Sequence, residues 1–467
     1  MTSIIKTISQ LPGHPEPIIM EPDLNRVHEV FEDLVAQYGK MFTVQFANQP
    51  MVVVADVKTL NFILCKRPEL FAPYRKNSKI LAAIKADGIE TADGSEWKWQ
   101  REVIATAMES AYLGRYFKTI KAVTEELKNR WLDYEHPLTK ADLEMEIFGF
   151  SISVFTAIMF GDMADMPPEE REAIMALLFD LAEILGGRID TLLPQMHLEN
   201  FSEDQVFEER IKEIRGVIEN LVAHNKTVLA SSQGNDKAKN LLQVLLEIMA
   251  AEGLDIQNVK LTENILQILL ASEPTTADTL LRVFHYIAAH FYVQQEVQNE
   301  ADAIVGQGDS IEDIKDIKKL KSIEAVISET MRLSGVSRLV LVETKMDVLL
   351  EDVEIASGTP LVLLTAYCGL DEENFHQATT FNPQRWRGDN KGEAGLHNNK
   401  AALGFGAGSR SCPGRGLAML VMKTVLAMIF GNFQITTVSS KSAIKGDKPE
   451  TLDFTIDIRD KRQDLAA

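Results

Sequence analysis

The sequence predicts a mainly α fold: one large helical domain, residues 1–467, with a small β-rich part at about 40–60. Three observations carry that prediction. Residues 105–260 read as helix almost throughout, with few prolines or glycines to interrupt them. Residues 261–290 form a long, strongly apolar helical stretch. The β-rich runs are short and confined to the neighbourhoods of 42–55 and 353–364.

In chain order, an amphipathic helix is expected from about Leu24 to Tyr38, closed by Gly39 as a C-cap. Phe42–Phe46 alternates like a strand, and Met51–Ala55 is a second β-rich run, so the two read as a hairpin-like pair before a helix at Val57–Cys65. Asp93–Arg101 looks like a capped helix start, with Ser95 as the cap. Trp97 and Arg101 stand four apart, on one face. Farther on, Met175, Leu177, Leu178, Phe179, Leu181, Ile184 and Leu185 make an apolar stripe that reads as core, and Ser231–Lys239 reads as a loop.

Composition sets bounds. With 68 acidic and 48 basic residues the net charge is -20, which argues against a nucleic-acid partner and favours solubility. Three cysteines, Cys65, Cys368 and Cys412, make no disulfide framework and point to a reducing, cytoplasmic setting. The first ten residues carry no apolar run of signal-peptide length, so no membrane anchor is expected, and a monomer is.

The densest chemistry lies at Phe405-Gly406-Ala407-Gly408-Ser409-Arg410-Ser411-Cys412-Pro413-Gly414. Glycines let this backbone turn tightly, and an apolar helix follows. Arg410 two residues before the cysteine, together with the helix dipole, favours a thiolate. A lone thiolate in a preformed loop suits haem iron better than zinc. A free cysteine is also often just a small buried hydrophobe. Phe-x-x-Gly-x-Arg-x-Cys-x-Gly is met at Phe405, Gly408, Arg410, Cys412 and Gly414, and this resembles the haem-ligand loop of the cytochrome P-450 family, in its soluble, bacterial-type form.

That resemblance implies haem b (iron protoporphyrin IX) as cofactor, Cys412 as axial ligand of the iron, and Phe405, Gly406, Arg410 and Gly414 as its cradle. Trp97 and Arg101 match the family's Trp-x-x-x-Arg, whose donors reach a haem propionate; a surface Trp–Arg pair is the plainer account. Glu329 and Arg332 match Glu-x-x-Arg, and Arg385 within Phe381-Asn382-Pro383-Gln384-Arg385-Trp386 completes a structural network. Arg338 is a further candidate propionate partner.

In the central helix the family carries Ala-Gly-x-(Asp/Glu)-Thr-Thr. Here Ala271 and Thr275 keep their places, Ser272 replaces Gly, and Pro274 replaces the acid. Glu273 stands one residue early, turned by about 100 degrees on a helix. Thr275 and Glu273 are the candidate catalytic pair, and Pro274 is expected to kink or open the helix. The implied activity is oxygen insertion from O2 into a lipophilic small molecule: a fatty acid, terpenoid or steroid. Electrons would come from a ferredoxin or flavodoxin with its reductase, docking on Arg410, Arg415 and Lys423. The alternative on the same fold is a peroxide-using peroxygenase, or an isomerase or dehydratase, motivated by Pro274. A non-enzymatic haem or ligand-binding protein is the third reading.

Overall fold

A computed structural model describes residues 5–17, 27–46, 49–83, 85–161, 176, 205–231, 238–254, 260–306, 310–388, 397–437 and 452–459. Its centre is the helix Leu261–Ala289, called the central helix below. Most of its side chains are buried, because apolar residues recur on all its faces and helices pack around it. Lys140–Phe160 lies along it, and Ser151 Oγ donates to the Glu273 carbonyl at 2.7 Å.

A second layer is built by Ser110–Leu132, Phe291–Val305 and Arg415–Asn432. Aromatic rings tie the layers: Phe284 stacks on Phe430 at 5.5 Å, and Trp131 meets Phe433 edge-on at 5.5 Å. Two of the helices, Lys140–Phe160 and Arg415–Asn432, are long and apolar enough to cross a membrane. Of their most apolar stretches 61% and 78% are buried inside the fold, so here they are core helices.

The β-rich part is a six-stranded sheet in the order Gly13–Pro17, Met41–Phe46, Gln49–Val54, Pro360–Leu363, Val340–Thr344 and Phe71–Pro73. The expected pair at 42–55 is its antiparallel hairpin, with Met41 opposite Val54 and Phe46 opposite Gln49. The helix Val57–Cys65 follows as expected, capped by Asp56, whose carboxylate accepts from Thr59 N. The first helix spans Val27–Tyr38, and Gly39 closes it with φ +86° and its N–H on the Val35 carbonyl.

Two expectations need correction. The helix at 94 begins at Gly94 with Asp93 in the cap position, not at Ser95. The central helix neither breaks nor opens at Pro274: it is helical from 261 to 289. Around the missing N–H of Pro274 the hydroxyls take up neighbouring carbonyls. Ser272 Oγ donates to Ile268 O at 2.6 Å and Thr275 Oγ1 to Ala271 O at 2.7 Å. The stripe Met175–Leu185 and most of Ser231–Lys239 lie outside the described residues.

Candidate active site

Cys412 sits two residues before the N-cap of the Arg415–Asn432 helix, in a loop held by its own backbone. Cys412 N donates to Phe405 O at 2.8 Å, Gly406 N to Leu403 O at 2.8 Å, and Ser411 N to Gly408 O at 3.1 Å. Gly408 has φ +73° and approaches the end of the Val57–Cys65 helix so closely that a Cβ there would lie 2.4 Å from Leu64 O. Phe405 lies under the Arg415 guanidinium, 5.6 Å from ring centre to Cζ.

The protein around it desolvates the Cys412 sulfur, yet Cys412 is exposed, so it opens onto a recess, called the space below. Glu90 shares that character. On the central helix Ala271 and Thr275, one turn apart, are exposed, with Ser272 and Pro274 partly so and Glu273 buried. Burial pushes the Cys412 thiol up, against the N–H groups of Gly414 and Arg415 and the charge of Arg101. The sequence assigned the cation's role to Arg410, but that side chain turns away. Its Nη2 donates to the Ala92 carbonyl, it pairs with Asp93 at 3.5 Å, and its guanidinium covers the Trp97 ring at 4.6 Å.

Three guanidiniums gather here. Arg101 is half-buried, and burial lowers its pKa. Arg410 is pushed down to about 10 by burial and then by the charges of Arg67 and Arg101. Arg67, which sequence reasoning missed, is pushed down to about 10 by burial, against Glu90 and Asp93. All remain charged at neutral pH. Nε of Arg67 and Nε of Arg410 are buried without a hydrogen-bond partner among the described residues.

The wall of the space is fixed from the central helix. Asn264 Oδ1 accepts from Ile89 N at 2.8 Å, and Gln267 Oε1 accepts from Glu90 N at 3.0 Å. Gln267 Nε2 donates to Ala86 O at 2.6 Å. Gly88 fits beneath this amide clamp because it lacks a side chain: a Cβ would stand 2.4 Å from Asn264 Oδ1.

Glu273 is not at the space. It is 3% exposed, its Oε1 has no partner, and burial raises its carboxyl well above the ordinary range. The helical twist of about 100 degrees per residue carries it off the Ala271–Thr275 face. The proposed pairing of Glu273 with Thr275 is corrected accordingly.

The network at Glu329 is closed. Its Oε1 accepts from Arg332 Nη2 at 2.7 Å, Arg385 Nε at 2.9 Å and Asn382 N at 2.9 Å. Oε2 accepts from Arg332 Nε at 2.9 Å and Trp386 Nε1 at 2.8 Å. Met331, beside Arg332, packs on Gly404, one residue before Phe405. Arg338 lies against His28 of the first helix. Lys423 is also redirected: it is buried and paired with Glu324 at 2.9 Å, so of the three basic docking residues only Arg415 is exposed.

The model of the family described as cytochrome P450 matches residues 18–457. The chain belongs to the cytochrome P450 family. It is therefore an oxidoreductase of the monooxygenase type that binds haem, and its architecture is the cytochrome P450 fold. Cytochrome P450 2B3 of Rattus norvegicus is 21% identical over 96% of this chain and 91% of its own length. Beta-amyrin 11-oxidase of Glycyrrhiza uralensis is 21% identical over 94% and 83%. The mitochondrial 25-hydroxyvitamin D-1 alpha hydroxylase of Rattus norvegicus is 24% identical over 93% and 89%. These relatives are eukaryotic and lend no support to a bacterial-type assignment.

The residues present fit the cofactor. An accessible sulfur lies beside a cluster of cations, and two of them, Arg67 and Arg410, keep a buried Nε with no hydrogen-bond partner among the described residues, as a dianionic group requires.

Proposed function

We propose that Cys412 is the iron ligand of this cytochrome P450, and that Trp97, Arg101 and Arg410 hold the carboxylate edge of the haem. The observation that carries this is the placement of the Cys412 sulfur: embedded, open to the internal space, and served by the N–H groups of Gly414 and Arg415. When bound, the haem supplies oxygen activation, with electron donation from a thiolate favouring O–O cleavage. The protein's own residues do the rest. Gly414 and Arg415 N–H groups temper the charge of the sulfur. Ala271 leaves room beside the helix, and Thr275 places a hydroxyl at the space. With Glu273 turned away, proton transfer falls to Thr275 and water.

The substrate is a lipophilic small molecule, of which fatty acids, terpenoids and steroids all suit a mostly apolar chamber. Electrons arrive from a separate ferredoxin or flavodoxin with its reductase. Arg415 is the exposed cation beside the Cys412 loop from which such a donor takes its bearings.

The test is spectroscopic. The reduced carbon-monoxide complex is expected to show the red-shifted band of a thiolate-bound haem, and Cys412→Ser is expected to abolish it; a mutant that keeps the band sinks the assignment. Turnover is expected to require reductant and O2. Turnover with peroxide, and none with a competent reductase and O2, would transfer the reading to a peroxide-using enzyme, the alternative that Pro274 in place of the family's acid motivates.

A further inference from the structure

Glu90 is an acid at the space that neither the haem cradle nor the proton route employs. It lies in the segment between the helices Arg75–Ala83 and Gly94–Ala107, and its backbone is held on both sides. Its N–H donates to Gln267 Oε1 at 3.0 Å, and its carbonyl accepts from Arg410 Nη1 at 3.4 Å. The turn around it is closed by Gly88, whose carbonyl accepts from Thr91 N at 3.2 Å and Ala92 N at 2.9 Å.

The carboxyl, by contrast, is engaged by nothing in the chain. Glu90 is exposed, and among the described residues no hydrogen bond or ion pair takes its side chain. Its charge acts on the Cys412 sulfur, so it stands near the same recess. Gln267, which holds it, precedes Ala271 by four residues and Thr275 by eight, so the three share one side of the central helix. Glu90 is therefore tethered at one end of that side. The Thr275 hydroxyl stands at the other, about 12 Å farther along the axis.

Loss of hydration raises the Glu90 carboxyl, against the charges of Arg67 and Arg410. A desolvated polar group without a partner is costly until a guest completes it. Its neighbours decide which guest that is. A carboxylate would meet Glu90 as a like charge, and an ammonium would meet the guanidiniums of Arg67 and Arg410. A hydroxyl carries no charge and both donates and accepts, so it suits the acid in either protonation state.

We infer that Glu90 is a specificity-determining residue whose carboxyl takes the hydroxyl group of a lipophilic alcohol. This rests on the haem site and the chamber read above, and narrows the guest to a fatty, terpenoid or steroid molecule that already bears a hydroxyl. The hydroxyl anchors the guest at Glu90, while oxidation falls on the part that reaches Thr275.

The test follows the spin-state shift of the ferric holoenzyme, which reports binding without turnover. Three alcohols, 1-dodecanol, farnesol and cholesterol, are each compared with the matching methyl ether, which keeps the oxygen and removes the donor. In the wild type at least one alcohol is expected to bind about tenfold more tightly than its ether, the scale of one hydrogen bond to a desolvated acid. Glu90→Leu and Glu90→Ala are each expected to erase that ratio. A general loosening of the chamber cancels from it, because both guests are measured in the same protein. Equal binding within every pair, a ratio that survives in either variant, a wild-type preference for dodecanoate over 1-dodecanol, or no shift with any alcohol would overturn the inference. If neither variant folds, Glu90 is architecture and the inference falls as well. The red-shifted carbon-monoxide band should persist in every variant. Its absence from the wild type overturns the haem-site reading itself, and is thereby distinguished from a failure of Glu90 alone.

Discussion

Arginines are buried in two regions of this molecule, and the two burials differ in what completes them. At Glu329 one carboxylate receives five donors, and the guanidiniums of Arg332 and Arg385 spend their remaining N–H groups on the carbonyls of Gly369, Ala378, His376 and Thr380. At Arg67, Arg101 and Arg410 the count runs the other way, with donors outnumbering acceptors. A closed network of this kind is architecture, whereas an open one is addressed to something outside the chain. The same physics of desolvated charge thus separates scaffold from site.

The comparison is broken most severely at its closed end. Glu329→Ala leaves two buried guanidiniums without their carboxylate and is expected to cost about 3–5 kcal/mol, read as a lost or much lowered urea midpoint. The pH dependence should agree. Burial alone would raise the Glu329 carboxyl, but hydrogen bonds and charge from Arg332, then Asn382 and Arg385, leave it below the ordinary range. Its contribution is therefore present above the unfolded carboxyl pKa and lost as pH falls through the depressed one. A stability profile flat through that acid window would contradict the network.

A buried acid whose Oε1 has no hydrogen-bond partner among the described residues tests the opposite limit. Glu273→Leu removes an unsatisfied group and is expected to stabilise the protein by about 1–3 kcal/mol at neutral pH. In the wild type the raised Glu273 carboxyl means stability is greatest below the unfolded carboxyl pKa and is lost as pH rises toward the raised value. Glu273→Gln should flatten that slope. The smallest effect belongs to the open cluster: Arg101→Met should change the haem-free protein by less than about 1 kcal/mol, while haem loss accelerates. A large loss of haem-free stability would place Arg101 with the scaffold.

Much of this was legible before any coordinates. The helices at 57, 261 and 415 and the 41–54 hairpin follow from periodicity and turn residues, and the Cys412 loop from spacing along a few residues. What was not legible depends on facing. Spacing made Arg410 a neighbour of the sulfur, but tertiary packing sends it to Ala92 and Trp97. Composition made Lys423 a surface cation, yet it stands at the buried face of an apolar helix and pairs with Glu324. Arg67 carried no sequence signal, since its segment meets the Cys412 loop through the tertiary contacts of Gly408 and Ser409. Asn264 and Gln267 read as polar interruptions of an apolar helix. Their bonds to backbone at 86, 89 and 90 join positions more than 170 residues apart.

That last pairing has a consequence for redesign. The segment opposite the central helix is not a loop whose reach is set by its length. Its distance is ruled by two amide side chains, which act as spacers of fixed size. Enlarging the chamber for a bulkier guest therefore means trimming the struts, Gln267→Asn being the shortest step, rather than inserting residues near Gly88. Because Gly88 already touches the clamp, side chains added there push the wall outward at the expense of its bonds. Capacity and rigidity are thus set by the same two residues, and a variant that gains one should surrender part of the other.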